Sequence, residues 1–511
     1  MKTKLNSLLF RSTSIAPLIT FRILFGGLML VGALRFMHLG WVERLYVAPR
    51  VFFKFYGFEW VENFGERGMY LLYSLIALSA AFIMVGLFYR LAAILFFLSF
   101  TYAELIDSTN YLNHYYLVCL LAFLLIFLPA HRAYSVDVWR KPAWQLQRVP
   151  AWTINVIIFQ ISIVYVCAGI AKLSSDWLLR AMPLAIWLPT KANWPLLGPL
   201  FAHSWTAYAF SWAGALYDLT IPFFLLHPRT RPFAYIAVIG FHVLTKLLFN
   251  IGLFPFIMIF NTLIFFSGAW HERFLMVGKL GSRKLGGESW EIEKLGNLKW
   301  DSLGVRWSKS PNVQPWRLLT SNQPPSRPQL PTSNPQPATI WFSAFDFRLT
   351  IGHNLVHYLQ KKLILIALTL YFSLQVFLPF RYLFYPGYLL WTEEGYRFSW
   401  RVMLVEKVGQ ATFYIHDLEN GRKSEVDNSK YLSLFQEKQM VIQPDMILQY
   451  AHFLAKTYEE EQGICQPKVT VNSHVALNGR RSQAFVNPNI DLAAIKDGWA
   501  PKHWIIPFRH E

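Results

Sequence analysis

The chain has 511 residues, 54% of them hydrophobic and 17% aromatic, with a mean hydropathy of +0.30. That balance excludes an ordinary soluble domain, because several runs reach the ~20 apolar residues needed to cross a bilayer. A net charge of +18 would point to nucleic acid in a soluble protein, but here the charge lies mainly in loops between apolar runs, which suits topology control and anionic lipid.

The basic start, Met1-Lys-Thr-Lys-Leu, leads into an apolar run without a small-residue cleavage site, so a retained first helix is expected. Apolar spans are expected over 17–38, 69–88, 91–106, 114–130, 152–173, 205–226, 232–249, 251–268 and 361–380. The third and eighth are short or tightly coupled to a neighbour, which suits tilted, re-entrant or packed segments. The fold class is therefore a polytopic all-α membrane bundle of about nine spans, followed by a small α+β, β-rich C-terminal domain.

Loop charges orient the bundle. With Lys2, Lys4 and Arg11 on the cytoplasmic side, alternation places Arg90, then Arg132 to Arg148, then Arg229 and Arg231 on that side as well. The loop between 107 and 113, with Asp107 its only charge, falls outside, as does everything after the ninth span. The expected organisation is a bundle over 1–270, a basic, Pro-rich inner loop over 271–360, a last span over 361–380 and an extracytoplasmic domain over 381–511. Within the loop, 308–339 is rich in Pro, Ser, Gln and Asn and reads as extended or disordered. His271, His353 and His357 are expected to be solvated or interfacial. In the last domain Val402–Glu406 and Thr412–His416 read as strands, Asn420-Gly421 as a turn and Asp445–Tyr458 as a helix. Lys468–Leu477 and Arg481–Val486 flank Asn478-Gly479, a strong hairpin signal.

Chemistry-bearing residues are few. Cys119, Cys167 and Cys465 form no disulfide framework or CxxC pattern, and no metal, nucleotide or serine-hydrolase motif is present. Lys172 closes the apolar run that starts near Trp152, about 30 Å further along a helix and so at the outer edge of the hydrocarbon. An amine held half out of water loses solvation, which favours a neutral form able to accept a proton; the competing reading is a lysine that merely snorkels to the interface. The expected topology brings Asn113 and His114 to the same depth. Asp218 and His242 fall deeper, either as a buried structural pair or as functional polar groups, and Gln160 reads as a helix-to-helix hydrogen bonder.

Ordered pieces of the chain resemble the vitamin K-dependent γ-glutamyl carboxylase family, which shares the horizontally transferred transmembrane (HTTM) domain. They include Asn113-His114-X-Tyr116-Leu, Tyr165-X-X-Ala168-Gly169-X-X-Lys172-Leu-X-X-Asp176-Trp177 and Phe241-His242 followed by Leu248-Phe249-X-Ile251-Gly252-X-Phe254. Further on come Gln375-X-Phe377-Leu378-Pro379, Trp391-Thr-Glu-Glu-Gly395-Tyr396-X-Phe398-Ser399-Trp400-X-X-Met403, Asp445-Met446-X-X-Gln449-Tyr450-Ala451 and Val486-Asn-Pro-X-Ile-Asp491. The resemblance implies a carbon–carbon lyase that uses a reduced vitamin K or menaquinone-type hydroquinone with O2 and CO2 and no metal. Lys172 would deprotonate the quinol, oxygenation would yield an alkoxide base, the glutamate γ-carbanion would add CO2, and the quinone would leave as its epoxide. His114 would act at the carboxylation step, while Asn113, His242, Gln375, Trp400 and Met403 match positions around the quinone.

The partners so implied are the bilayer, an isoprenoid quinone and a glutamate-containing protein, with no nucleic acid. The membrane would be a bacterial inner membrane, or the endoplasmic reticulum of a eukaryote. Animal relatives join bundle and outer domain by a disulfide, at positions that read here as Phe88 and Phe453. Quinol epoxidation without carboxylation, or a non-catalytic quinone- or lipid-binding scaffold, are the alternatives.

Overall fold

A computed structural model of the chain describes residues 7–249, 251–284 and 353–510. The Pro-rich stretch over 308–339 lies outside the described residues. Residues Met1–Leu275 and Tyr371–Glu511 form one compact unit, and every site discussed below lies within it.

Among the described residues, seven helices are long and apolar enough to cross a membrane. Six are α1 (Ala16–His38), α2 (Gly65–Val85), α3 (Tyr89–Ile106), α5 (Trp152–Ala171), α6 (Ser204–Leu226) and α7 (Arg231–Leu248); the seventh is the apolar stretch Leu359–Phe384, mostly within α10 (His353–Phe380). The expected count of nine is not reached. The fourth expected span is α4 (Asn113–Phe127), whose 15 residues rise only about 22 Å against a hydrocarbon core of about 30 Å. The eighth is broken: a helical stretch from Phe254 to Phe265, containing α8 (Phe254–Thr262), meets α9 (Gly268–Lys284) at a 115° bend. The turn is stabilised by His271, which is fully buried with Nε2 3.0 Å from the Leu263 carbonyl, not solvated as expected.

Small residues set the helix spacing. A Cβ at Gly26 in α1 would lie 2.5 Å from the Met84 backbone nitrogen of α2, so only glycine lets these helices approach this closely.

The C-terminal domain is a four-stranded antiparallel sheet backed by helices. β1 (Lys407–Asp417) pairs with β2 (Arg422–Glu425) on one side and along its length with β3 (Lys468–Leu477) on the other. A short β4 (Gln483–Ala484) follows the Asn478-Gly479 turn. Asn478 and Gly479 have φ of 49° and 75°, the left-handed pair this tight hairpin requires. α11 (Leu434–Met440) and α12 (Pro444–Gln462) complete the layer, α12 burying Met446, Ile447, Tyr450, Ala451 and Leu454 against Phe413 and Val471. The strand expected over Val402–Glu406 is not formed; those residues run into the site instead. Phe88 caps the start of α3 beside Asp137 and Arg140, whereas Phe453 packs on Tyr431 and Tyr450 in the C-terminal domain. A bridge between those two positions is thereby excluded, since the far end of α3, about 27 Å away by helical rise, is the one that approaches the domain.

The domain docks on the bundle through polar contacts. Asp176, four residues past Lys172, pairs with Arg480 and accepts from Asn478 Nδ2 at 2.9 Å and the Tyr388 hydroxyl at 3.1 Å. Burial pushes the Asp176 carboxyl up, but Arg480 and its other donors outweigh this and hold it below the usual carboxylate range. At the other edge, Gln436 Nε2 donates to the Val51 carbonyl at 2.6 Å and to Asp107 at 3.3 Å.

Candidate active site

Lys172 caps the C-terminal end of α5, and its side chain is 7% exposed. It does not sit half in water. A helical side chain leans back toward the N-terminus of its helix, and Nζ accordingly lies 3.5 Å from the Ala168 carbonyl one turn deeper. There it meets Asp218 Oδ2 of α6 at 2.6 Å, both side chains being less than one-tenth exposed. The Trp177 ring centroid is 5.4 Å from Nζ. Trp177 is itself fixed: its Nε1 donates to the Ser211 carbonyl at 2.7 Å, and Ser211 donates back to the Trp177 carbonyl.

The pairing of Lys172 with Asp218 depends on how closely α5 and α6 approach. A Cβ at Gly169 would stand 2.8 Å from the backbone nitrogen of Leu219, the residue after Asp218. Glycine is needed here for space, since Leu219 backbone cannot yield as a flexible side chain would. Gly169→Ala is expected to cost roughly 1–3 kcal/mol of stability and to part the ion pair, lowering activity along with melting temperature. A melting curve unchanged from wild type would contradict this packing account.

His242 of α7 is 1% exposed, with Nε2 3.1 Å from the Tyr165 hydroxyl. The reading in which Asp218 satisfies His242 is thus incorrect: each has another partner, because the lysine reaches deeper than its Cα position suggests. Lys172, Asp218, His242, Tyr165, Tyr217 and Met403 line one cavity of about 340 Å³. Apart from Thr245, the rest of its wall is apolar or aromatic, including Phe210, Phe241, Phe249 and Phe254. Two buried polar atoms there, His242 Nδ1 and the Tyr217 hydroxyl, have no hydrogen-bond partner among the described residues. A buried polar atom without a partner is costly. The cavity therefore suits a flat, mostly apolar molecule bearing ring oxygens, and the residues present fit a naphthoquinone.

The other expected site residues do not line this cavity. His114 is buried in the first turn of α4, and its ring lies 5.6 Å from Phe254, whose other neighbour at 5.6 Å is His242. One phenyl ring thus separates the two imidazoles. Asn113 holds backbone: Nδ2 donates to the Arg401 carbonyl at 3.0 Å, and Oδ1 accepts from the Tyr111 hydroxyl at 3.1 Å. Gln375 and Trp400 form a second cluster around Tyr116. Gln375 Nε2 lies 3.5 Å from the Tyr116 hydroxyl, and Trp400 stacks on the Tyr116 ring at 5.0 Å. Gln375 Oε1 and Trp400 Nε1 are buried without partners among the described residues.

Both clusters are joined by the segment Glu393–Met403. Four of its non-glycine residues, Glu393, Phe398, Trp400 and Met403, have φ between 57° and 61°. Such left-handed backbone costs of order 1 kcal/mol or more at each residue and concentrates at functional sites. Here it aims Met403 into the Lys172 cavity and Trp400 onto Tyr116. Asp218, Tyr217 and Trp177 complete the site. Asp218 was visible in sequence as a carboxylate inside an apolar run, but its lysine partner was not. Among the described residues, no group of three His, Cys, Asp or Glu side chains could hold a metal ion.

The family model for the HTTM domain matches residues 10–270. The model for the vitamin K-dependent gamma-carboxylase lumenal domain matches residues 360–511. No solved structure matches the chain. The seven membrane-competent helices make it a multi-pass membrane protein, and the two matches, taken in order along the chain, place it in the vitamin K-dependent gamma-carboxylase family.

Proposed function

We propose that this chain is a membrane-embedded, vitamin K hydroquinone-dependent γ-glutamyl carboxylase with Lys172 as its proton acceptor. The observation that carries this reading is the Lys172–Asp218 pair facing an apolar cavity with unsatisfied polar atoms on its wall. Reduced vitamin K, when bound, supplies together with O2 the strong base that takes the glutamyl γ-proton before CO2 adds. Lys172 Nζ, as the neutral amine, takes up the hydroxyl proton that starts this chemistry. Asp218 Oδ2 stabilises the ammonium so formed, so the proton is accepted without leaving an unpaired charge in an apolar space. His242 Nδ1 and the Tyr217 hydroxyl are available to orient ring oxygens. The aromatic wall excludes water, which would otherwise quench a strong base.

By this reading the C-terminal domain is extracytoplasmic, in keeping with the lumenal-domain match, and the N-terminus is cytoplasmic. The glutamate-bearing substrate approaches from the domain side.

The test is to incubate purified protein with reduced vitamin K and O2, and to measure epoxide together with labelled CO2 entering a glutamate peptide. Epoxide without label would establish quinol oxidation alone; neither product, with several quinones, would favour a binding scaffold. His114 lies behind Phe254, outside the Lys172 cavity, so it is assigned to the glutamate side. For His114→Ala, carboxylation is expected to fall about 10²-fold or more, on the scale of a lost acid–base group, with a much smaller loss of epoxide. Equal loss of both would give His114 a structural role only.

A further inference from the structure

A second cavity opens where the bundle meets the C-terminal domain. It measures about 250 Å³, and its wall mixes charged side chains of both signs with aromatic ones. Its rim carries Trp499, 66% exposed, packed edge-to-face with Tyr56 at 5.8 Å.

The carboxylates in this cleft are already engaged. Asp445 is held by Arg397, Glu393 by Lys407 Nζ at 2.7 Å, Glu394 by the Lys502 backbone N–H at 2.9 Å, and Asp497 by the Gly498 N–H at 2.8 Å. Arg381 differs. Its guanidinium donates to the Arg397 carbonyl at 2.7 Å and lies 5.8 Å from the Phe398 ring, yet among the described residues it has no carboxylate partner within ion-pair distance. A guanidinium has five N–H donors in a planar fork that matches a carboxylate. Most of that fork remains available to a ligand in the cleft.

The floor of the cleft leads to His114. The Phe398 N–H donates to the Tyr111 hydroxyl at 2.8 Å, and that hydroxyl donates to Asn113, the residue before His114. Phe398 also stands edge-on to Tyr116 at 4.9 Å. Arg381 is thus linked through Phe398 and Tyr111 to Asn113, the residue before the imidazole assigned above to the glutamate side.

We propose that Arg381 captures the side-chain carboxylate of a glutamate-bearing peptide as it enters through this cleft, before that side chain moves on to the reacting centre, and so selects glutamate over glutamine at docking. This rests on the reading of the site as a glutamyl carboxylase, but its test does not need turnover. The probe is a fluorescein-labelled pentapeptide with a single glutamate, compared by anisotropy with its glutamine counterpart on the full chain in nanodiscs. Wild type is expected to bind the glutamate peptide about tenfold or more tightly, the scale of a charge-assisted hydrogen bond. Arg381→Gln is expected to abolish the preference, and Arg381→Lys to recover part of it.

A role confined to holding the Arg397 carbonyl would weaken both peptides alike and leave the preference intact, which would overturn the proposal. So would a wild type that binds both peptides equally, a result obtained without any variant. Failure of wild type to form epoxide or fix CO2 would count against the catalytic reading, while the glutamate preference would still decide the role of Arg381.

Discussion

Lys172→Arg is expected to reduce epoxide formation by about 10²- to 10⁴-fold, the usual contribution of a positioned acid–base group, while leaving the protein folded. The substitution is sharper than Lys172→Ala. Alanine would strand Asp218 as an unpaired buried carboxylate, at a cost of roughly 3–5 kcal/mol, and lost activity could then be blamed on misfolding. Arginine permanently carries the positive charge that Lys172 holds after accepting the proton, and it can still pair with Asp218 Oδ2, which lies 2.6 Å from Nζ. It also keeps a cation near the Trp177 ring. What it cannot do is give up its proton at any accessible pH. A lysine that only snorkels or holds two helices together would tolerate the change. The check is epoxide yield beside melting temperature: lost yield with a preserved melt supports the base, and preserved yield removes Lys172 from the chemistry.

Much of the scaffold was legible because burial periodicity and turn chemistry are local. The Asn478-Gly479 hairpin, the Asn420-Gly421 turn and the helix over Asp445–Tyr458 all appear where residue type alone places them. The polarity of Lys172 inside an apolar run was likewise visible without coordinates. What failed was long-range. The partner of Asp218 is fixed by how near α5 and α6 approach at Gly169 and by the direction in which a long lysine side chain leans. Neither quantity is periodic. Hydropathy also cannot separate a full span from the 15-residue α4, which is just as apolar, and it does not locate the break between Phe265 and Gly268. His271 looked solvated for the same reason: the bend that buries it has no signature in composition.

The site also draws on parts of the chain far apart in sequence. Lys172 and Asp218 come from the bundle, whereas Met403 reaches the same cavity on the segment that opens the C-terminal domain. Asp176, pinned by Arg480 and Asn478 of the hairpin, precedes the Trp177 that faces Lys172. Disturbance of the domain therefore has a short mechanical path to the ammonium. The strained backbone of Glu393–Met403 adds to this: it is held by contacts from both sides, including Asn113 to the Arg401 carbonyl and Arg381 to the Arg397 carbonyl.

Asp218→Asn tests the other half of the dyad. The amide matches the carboxylate in size but cannot compensate a buried ammonium, so the variant should lose about 3 kcal/mol or more of stability by the measure of a broken buried pair. Epoxide formation should fall by about 10²-fold or more, because the proton taken up at Nζ would then leave an unbalanced charge in an apolar cavity. Asp218→Glu, which keeps the charge, is expected to restore part of the activity, a recovery that simple packing would not produce. A double-mutant cycle isolates the pair. Lys172→Met alone leaves a buried carboxylate and Asp218→Asn alone leaves a buried ammonium, but the two together leave neither. The double variant should therefore melt at a higher temperature than at least one of its parents, with a coupling of about 1–3 kcal/mol, while remaining inactive. Additive melting effects would mean that the 2.6 Å contact carries no energetic coupling, and Lys172 would then need some other source of support for its proton.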